Sequence, residues 1–437
     1  MYERDLICDN LKVGEDGTLY FAGFNTTYLA EKYKTPLYLM DEEKIRENCR
    51  AYLSAVAEAF GENGQVLYAS KAASFKRLYE IMREEGMGID VVSSGEIYTA
   101  LLASFPMEHA YFHSNNKTDE DIEYAIENRV GYFVVDNEEE LYAIERIAKE
   151  KGIRQRVLLR ITPGIDPHTY AAIATGKVDS KFGSAIETGQ AEKITKLALS
   201  LDGVRLSGYH CHVGSQVFDE QVYISTASVM LEFVSHIEKT LGYHADELDI
   251  GGGFGVRYIY TQPKLDIKEN IKKVGAFMKA KALELGISLP KISFEPGRSI
   301  VADAGLTLYT VGTVKKIPEY KNYVSVDGGM TDNIRFALYG APYTVLVANR
   351  MNADRDMIAS LVGRCCESGD IIQENVEFPS DVKRGDIVAC LTTGAYHYSM
   401  ASNYNRLGKP PVVMLTKGGS YVAVKRQTLS DIAAQDI

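Results

Sequence analysis

The chain has 437 residues, of which 46% are hydrophobic and 24% charged, and a formal net charge of −11 at pH 7. That length exceeds what one compact core usually serves, so two domains are expected. The acidic balance, without a dense Lys/Arg tract, argues against nucleic acid as a partner while leaving room for a local basic pocket for a small anion, and no apolar run reaches the ~18–20 residues that span a bilayer.

The first ten residues, MYERDLICDN, lack a basic stretch followed by an apolar run, so no signal peptide is expected. The six cysteines, Cys8, Cys49, Cys211, Cys365, Cys366 and Cys390, include no C-x-x-C pair. Adjacent cysteines make a poor structural disulfide, so the usage fits a reducing cytoplasm.

The opening segment reads as a hairpin, LKV and TLYFAGF around the turn Gly14-Glu15-Asp16-Gly17. After Pro36 the pattern becomes alternating apolar runs and amphipathic helices. Asp41 is placed to cap a helix whose Ile45, Cys49, Tyr52, Leu53, Val56 and Phe60 share one face, with Gly61 as its stop. A second helix carries Phe75, Leu78, Tyr79 and Met82 and stops at Gly86. Between helices lie short apolar strands at 65–70, 88–93, 109–114, 131–136, 156–161, 205–213, 247–252 and 291–296. Near-continuous apolar strands alternating with helices indicate a parallel sheet covered on both faces. Eight such units over roughly 250 residues suggest a TIM-like (β/α)8 barrel over 36–298; strand count alone leaves a doubly wound open sheet as the alternative. Beyond about residue 300 the strands are punctuated by Gly, Pro and Asp. They read as a mostly antiparallel β-domain, residues 299–437, completed by the N-terminal hairpin within residues 1–35.

Polar residues and glycines gather where the strands end, which is where a barrel builds its site. The seventh strand runs into Gly251-Gly252-Gly253-Phe254-Gly255 and the eighth into Glu295-Pro296-Gly297-Arg298. Glycines let backbone N–H groups approach phosphate oxygens, and an arginine adds charge. The spacing departs from the dinucleotide G-x-G-x-x-G, which lowers that reading. Lys71 follows the first barrel strand, where a lysine beside a phosphate site can form a Schiff base. His210 and His212 stand at i and i+2 on a strand, as a metal pair could. No third ligand is obvious nearby, so no metal is expected, and His210 reads as a core histidine. Glu295 ends a buried strand, and such a carboxylate needs a partner; Arg298 is one candidate, and a protonated ring nitrogen is another.

Taken in order, YASKA (68–72), HCHVGSQ (210–216), DIGGGFG (249–255), EPGRSIV (295–301), DNIRFALYGA (332–341), CESGD (366–370) and GAYHYSMASNYN (394–405) make the chain resemble the fold-type III decarboxylases that use pyridoxal 5′-phosphate (PLP). Within them it is similar to the branch acting on diaminopimelate. The resemblance implies that Lys71 holds PLP as a Schiff base and that His212 lies against the ring. It implies a phosphate site of Ser215, Gly252, Gly253, Gly297 and Arg298, and Glu295 at the pyridine nitrogen. Tyr396 would touch cofactor and substrate, and Asp90 would sit near Lys71. Cys366 would return the proton and Glu367 would bind a substrate amino group, both serving the other subunit of a homodimer. Arg298, Arg335 and Tyr339 would hold the retained carboxylate. The implied activity is decarboxylation of meso-diaminopimelate to L-lysine, the last step of lysine biosynthesis.

Glu367 and the Arg335-x-x-x-Tyr339 setting argue against ornithine or arginine as substrate. Phe336, where the family more often has proline, and the following Gly340-Ala341-Pro342-Tyr343 loop keep a related substrate such as carboxynorspermidine in view. A PLP carrier without catalysis would lack the β-domain. A cofactor-free barrel aldolase would leave Glu295 and His212 without a purpose, and a racemase would need a second base for which no tyrosine stands out.

Overall fold

The structure, a computed structural model, describes residues 3–165 and 180–437. The stretch 168–189 between the fifth and sixth barrel strands reads from the sequence as a loop that closes over the site, and most of it lies outside the described residues. The chain divides into two compact units: Asn48–Gly255 with Leu265–Gly297, and Met1–Glu47 with Val256–Lys264 and Arg298–Ile437.

The first unit is the barrel. Among the described residues its strands are Gly64–Ala69, Gly88–Val91, Ala110–Phe112, Tyr132–Val135, Gln155–Thr162, Val204–His210, Glu247–Asp249 and Lys291–Phe294. Each pairs in parallel with the next, and the eighth returns to the first through Ile292 and Gly64, closing the sheet. All eight expected strands are present, and closure rules out the open doubly wound sheet. Short polar residues start the covering helices: Ser93, Thr118 and Asn137 each accept a backbone N–H of the first turn. Left-handed glycines stop them, as at Gly86 (φ 77°) and Gly286 (φ 71°). One glycine is required by close approach. A Cβ at Gly208 in the sixth strand would lie 1.8 Å from the Glu247 carbonyl oxygen of the seventh.

The second unit is built on a nine-stranded sheet whose pairings are mostly antiparallel. Its long strand Gly305–Ile317 pairs with Leu37–Asp41, Lys321–Val326 and Ile387–Leu391. The N-terminal segment contributes twice. Strand Leu37–Asp41 enters the sheet between Gly305–Ile317 and Val412–Thr416. The hairpin of Leu11–Val13 and Leu19–Phe21 forms its own small sheet and completes the unit through its core, where Leu19 and Phe21 pack with Leu37, Leu39, Leu306 and Leu415.

The barrel also buries a structural lysine. Lys117 Nζ donates to Glu140 Oε1 at 2.7 Å and to the Val134 carbonyl at 2.8 Å, with both side chains almost fully enclosed. Removing one partner strands a buried charge, which costs about 3–5 kcal/mol. Lys117→Met is therefore expected to lose that much in urea unfolding, and the double variant Lys117→Met/Glu140→Leu to recover most of it.

Candidate active site

In the barrel unit, charged and polar side chains converge where the strands end. Lys71 stands in the short turn Ser70–Ala72 directly after the first strand. Asp90 lies on the second strand opposite Ala69. It is wholly buried, and neither carboxylate oxygen has a hydrogen-bond partner. Burial raises its pKa, while His113 and Lys71 pull the other way. Asp90 and Lys71 thus lie within electrostatic reach of each other.

Glu295 follows the eighth strand and is buried. His210 Nε2 lies 3.1 Å from its Oε2. His113 Nε2 lies 2.8 Å from its Oε1, a close contact that lacks aligned hydrogen-bond geometry. Burial alone would raise the carboxyl's pKa. The two histidines outweigh it and hold Glu295 well below the usual carboxylate range. Burial pushes His210 down to about 4, so its neutral ring donates through Nε2 and leaves Nδ1 without a partner. One expectation is corrected here. His210, read as a core histidine, meets Glu295, because its strand-end position aims it there. The two histidines are partners that answer for the Glu295 charge.

His212 Nδ1 accepts the Gly252 N–H at 3.3 Å. Burial, with the nearby Lys71 and Arg160 charges, depresses its pKa well below the usual value. It is therefore a neutral ring protonated on Nε2. The glycine loop is closely laid. A Cβ on Gly252 would meet the Glu295 carbonyl oxygen at 2.0 Å, and one on Gly253 (φ 102°) the Gly214 carbonyl oxygen at 2.1 Å. Val217 N–H donates to the Gly253 carbonyl at 2.9 Å, drawing the Ser215 segment against it. Gly297 is buried under Ala69.

The second unit carries the arginines. Arg298 donates to the Tyr258 hydroxyl at 2.8 Å, and its guanidinium lies 4.7 Å from the Tyr396 ring centroid. Arg335 lies 5.1 Å from the same ring and 5.0 Å from that of Tyr339. Two buried guanidinium groups thus lie against one tyrosine ring. The buried Arg335 Nε and the Tyr343 hydroxyl have no hydrogen-bond partner, which leaves this cluster with hydrogen-bonding capacity to spare. Tyr396 adopts a left-handed backbone, φ 62°, strain of the kind that functional positions retain.

Cys366 and Glu367 are exposed on this chain. The Asp370 carboxylate shapes their loop, accepting Met330 N–H at 2.6 Å and Cys365 N–H at 2.7 Å. Cys366 N–H donates to Asn405 Oδ1 at 2.7 Å. The Gly369 N–H and Ser368 hydroxyl hold Glu367 below the usual carboxylate range.

Sequence reasoning missed His113, Arg160, Tyr258, Tyr343 and His397. The first two carried a signal: ionisable side chains in or just after near-continuous apolar strands. The tyrosines and His397 carried none, because aromatic residues in that setting read as core. Tyr343 packs edge-on between Tyr258 and His397, each 5.1 Å away.

The barrel-mouth groups fit the cofactor that the sequence implies: a lysine amine, an ionised carboxylate for a protonated ring nitrogen, a neutral imidazole and a glycine loop. The model of the pyridoxal-binding domain of pyridoxal-dependent decarboxylases matches residues 42–302. A diaminopimelate decarboxylase of Bacillus subtilis (strain 168) is 44% identical over 423 residues, 97% of this chain and 96% of that protein. A diaminopimelate decarboxylase from M. jannaschii, solved with L-lysine, superposes with a TM-score of 0.90 at 35% identity, covering 99% of this chain and 98% of that one. A lysine/ornithine decarboxylase of Vibrio vulnificus, solved with putrescine, gives a TM-score of 0.75 at 25% identity, covering 90% and 97%. On its motifs, its closed barrel and these likenesses, the chain belongs to the pyridoxal-dependent decarboxylase family.

Proposed function

We propose that the chain removes carbon dioxide from meso-2,6-diaminopimelate and releases L-lysine, using PLP. The observation that carries the substrate reading is the buried arginine pair on Tyr396, with Arg335 Nε unpartnered. A substrate that keeps one carboxylate while losing another needs such a fork. Relatives that share 97–98% of the chain carry the same activity in their names. A monocarboxylic diamino acid such as ornithine would leave that fork empty.

When bound, PLP supplies the electron sink that accepts the pair left by the departing carbon dioxide. Lys71 would hold it, Glu295 would keep its ring nitrogen protonated, and His212 would cover a face. Ser215, Gly252, Gly253 and Gly297 would surround its phosphate, and Asp90 would set the charge around Lys71. Arg298, Arg335 and Tyr339 fix the retained carboxylate, so that the other is the one positioned to leave. Tyr396 anchors both arginines. The Cys366 thiol holds the proton that replaces the lost carboxyl, and Glu367 takes the distal ammonium. Their exposure on this chain supports the reading that they serve a partner subunit in a homodimer, reciprocally about a two-fold axis. Among the described residues no helix is long and apolar enough to cross a membrane. All six cysteines are free thiols, which fits a cytoplasmic enzyme.

Incubation of the PLP-loaded protein with meso-diaminopimelate, L-ornithine, L-arginine and carboxynorspermidine in turn, with products identified by mass spectrometry, tests the substrate. Lysine from the first alone is expected; a product from another, with none from the first, refutes the reading of the arginine pair. Arg335→Ala should cost about 2–4 kcal/mol in kcat/KM for diaminopimelate, and far less for a monocarboxylate analogue. Cys366→Ala should retain PLP and its visible absorbance but slow turnover and release more side products. Unchanged turnover would remove Cys366 from the chemistry.

A further inference from the structure

The cluster of His113, His210 and Glu295 has more structure than a carboxylate facing a ring nitrogen requires. The two imidazoles come from the ends of the third and sixth strands, and each meets a different Glu295 oxygen, at 2.8 Å and 3.1 Å. Their rings also pack edge to face, with centroids 4.8 Å apart at 74°, so each limits the other's rotation. A carboxylate oxygen has two lone-pair sites, so one imidazole contact per oxygen leaves capacity for a third partner. The surroundings make the grip necessary. Asp90 Oδ1 is 4.0 Å from His113 Nε2, and Asp249 is a further buried carboxyl that feels the Glu295 charge. Arg160, Lys71 and His212 lie within electrostatic reach. Among three crowded carboxyls, the one met by two imidazoles is the one held below the usual carboxylate range.

We propose that His113 and His210 are positioning residues: together they grip Glu295 by its two oxygens and present it to the ring nitrogen of PLP. This rests on the reading of Glu295 as that nitrogen's partner. The same three side chains offer ligand atoms within 4.8 Å of one another, as a metal site would. Their place at the barrel mouth beside Lys71 favours the cofactor role.

The test uses the holoenzyme loaded with PLP carrying 15N in its ring. The wild-type ring resonance should sit at the protonated position. His113→Leu/His210→Leu should move it downfield toward unprotonated pyridine, while His113→Gln/His210→Gln, which keeps an N–H donor at each place, should restore it in large part. Each single leucine variant should weaken PLP binding about tenfold, as loss of one charged contact would, and these serve if the double variant does not fold. Glu295→Gln separates the two readings. If it moves the resonance and the double leucine variant and both single variants leave resonance and affinity unchanged, the histidine grip is wrong and the role of Glu295 stands. If neither Glu295→Gln nor the double variant moves it, the reading of Glu295 fails and the proposal with it. Stoichiometric zinc or iron in the purified holoenzyme, lost on His210→Leu, would also overturn it in favour of a metal centre.

Discussion

A carboxylate buried as Glu295 is keeps its charge only if protein donors replace the water it has lost. That requirement organises the mouth of the barrel. Partners must arrive from directions that a single strand cannot supply, and here the two imidazoles come from the third and sixth strands while the carboxylate comes from the eighth. Only a closed barrel brings the ends of non-adjacent strands around one point. The hydrogen-bonded closure between the eighth strand and the first is therefore as much a condition of the chemistry as of the fold.

The second unit solves the opposite problem. Arg298 and Arg335 are cations with little water around them; aromatic rings lie against both, and the Tyr258 hydroxyl accepts from Arg298. Aromatic faces partly compensate a guanidinium without neutralising it, so the pair keeps its attraction for an incoming carboxylate. A resident aspartate would stabilise the protein more and bind substrate less. The contrast with Lys117 is instructive. That lysine is buried against Glu140 and carbonyl oxygens, its charge is fully answered, and its role is structural.

Much of this was legible in the chain. The eight apolar strands, the helix caps and the glycine stops obey local rules of periodicity and backbone conformation, so each can be read from a few neighbouring residues. Lys71, His212, Glu295, the glycine loop and Arg335 could be singled out because their motifs are contiguous. His210 was misjudged for the converse reason: its partners, Glu295 and His113, lie 85 and 97 residues away in the chain. Tyr258 and Tyr343 escaped notice because nothing local separates a tyrosine that braces an arginine from one that fills a core.

The sequence by itself determined the class of structure and the cofactor chemistry, because strand and helix periods and short motifs are properties of neighbouring positions. Tertiary structure alone decided which ionisable groups share a charge. It matched Glu295 with two histidines, left Asp90 without a hydrogen-bonding partner, and set two arginines on one tyrosine ring. Electrostatic pairing in a buried site depends on distances of a few ångströms between residues far apart in the chain, and those distances exist only once the barrel has closed.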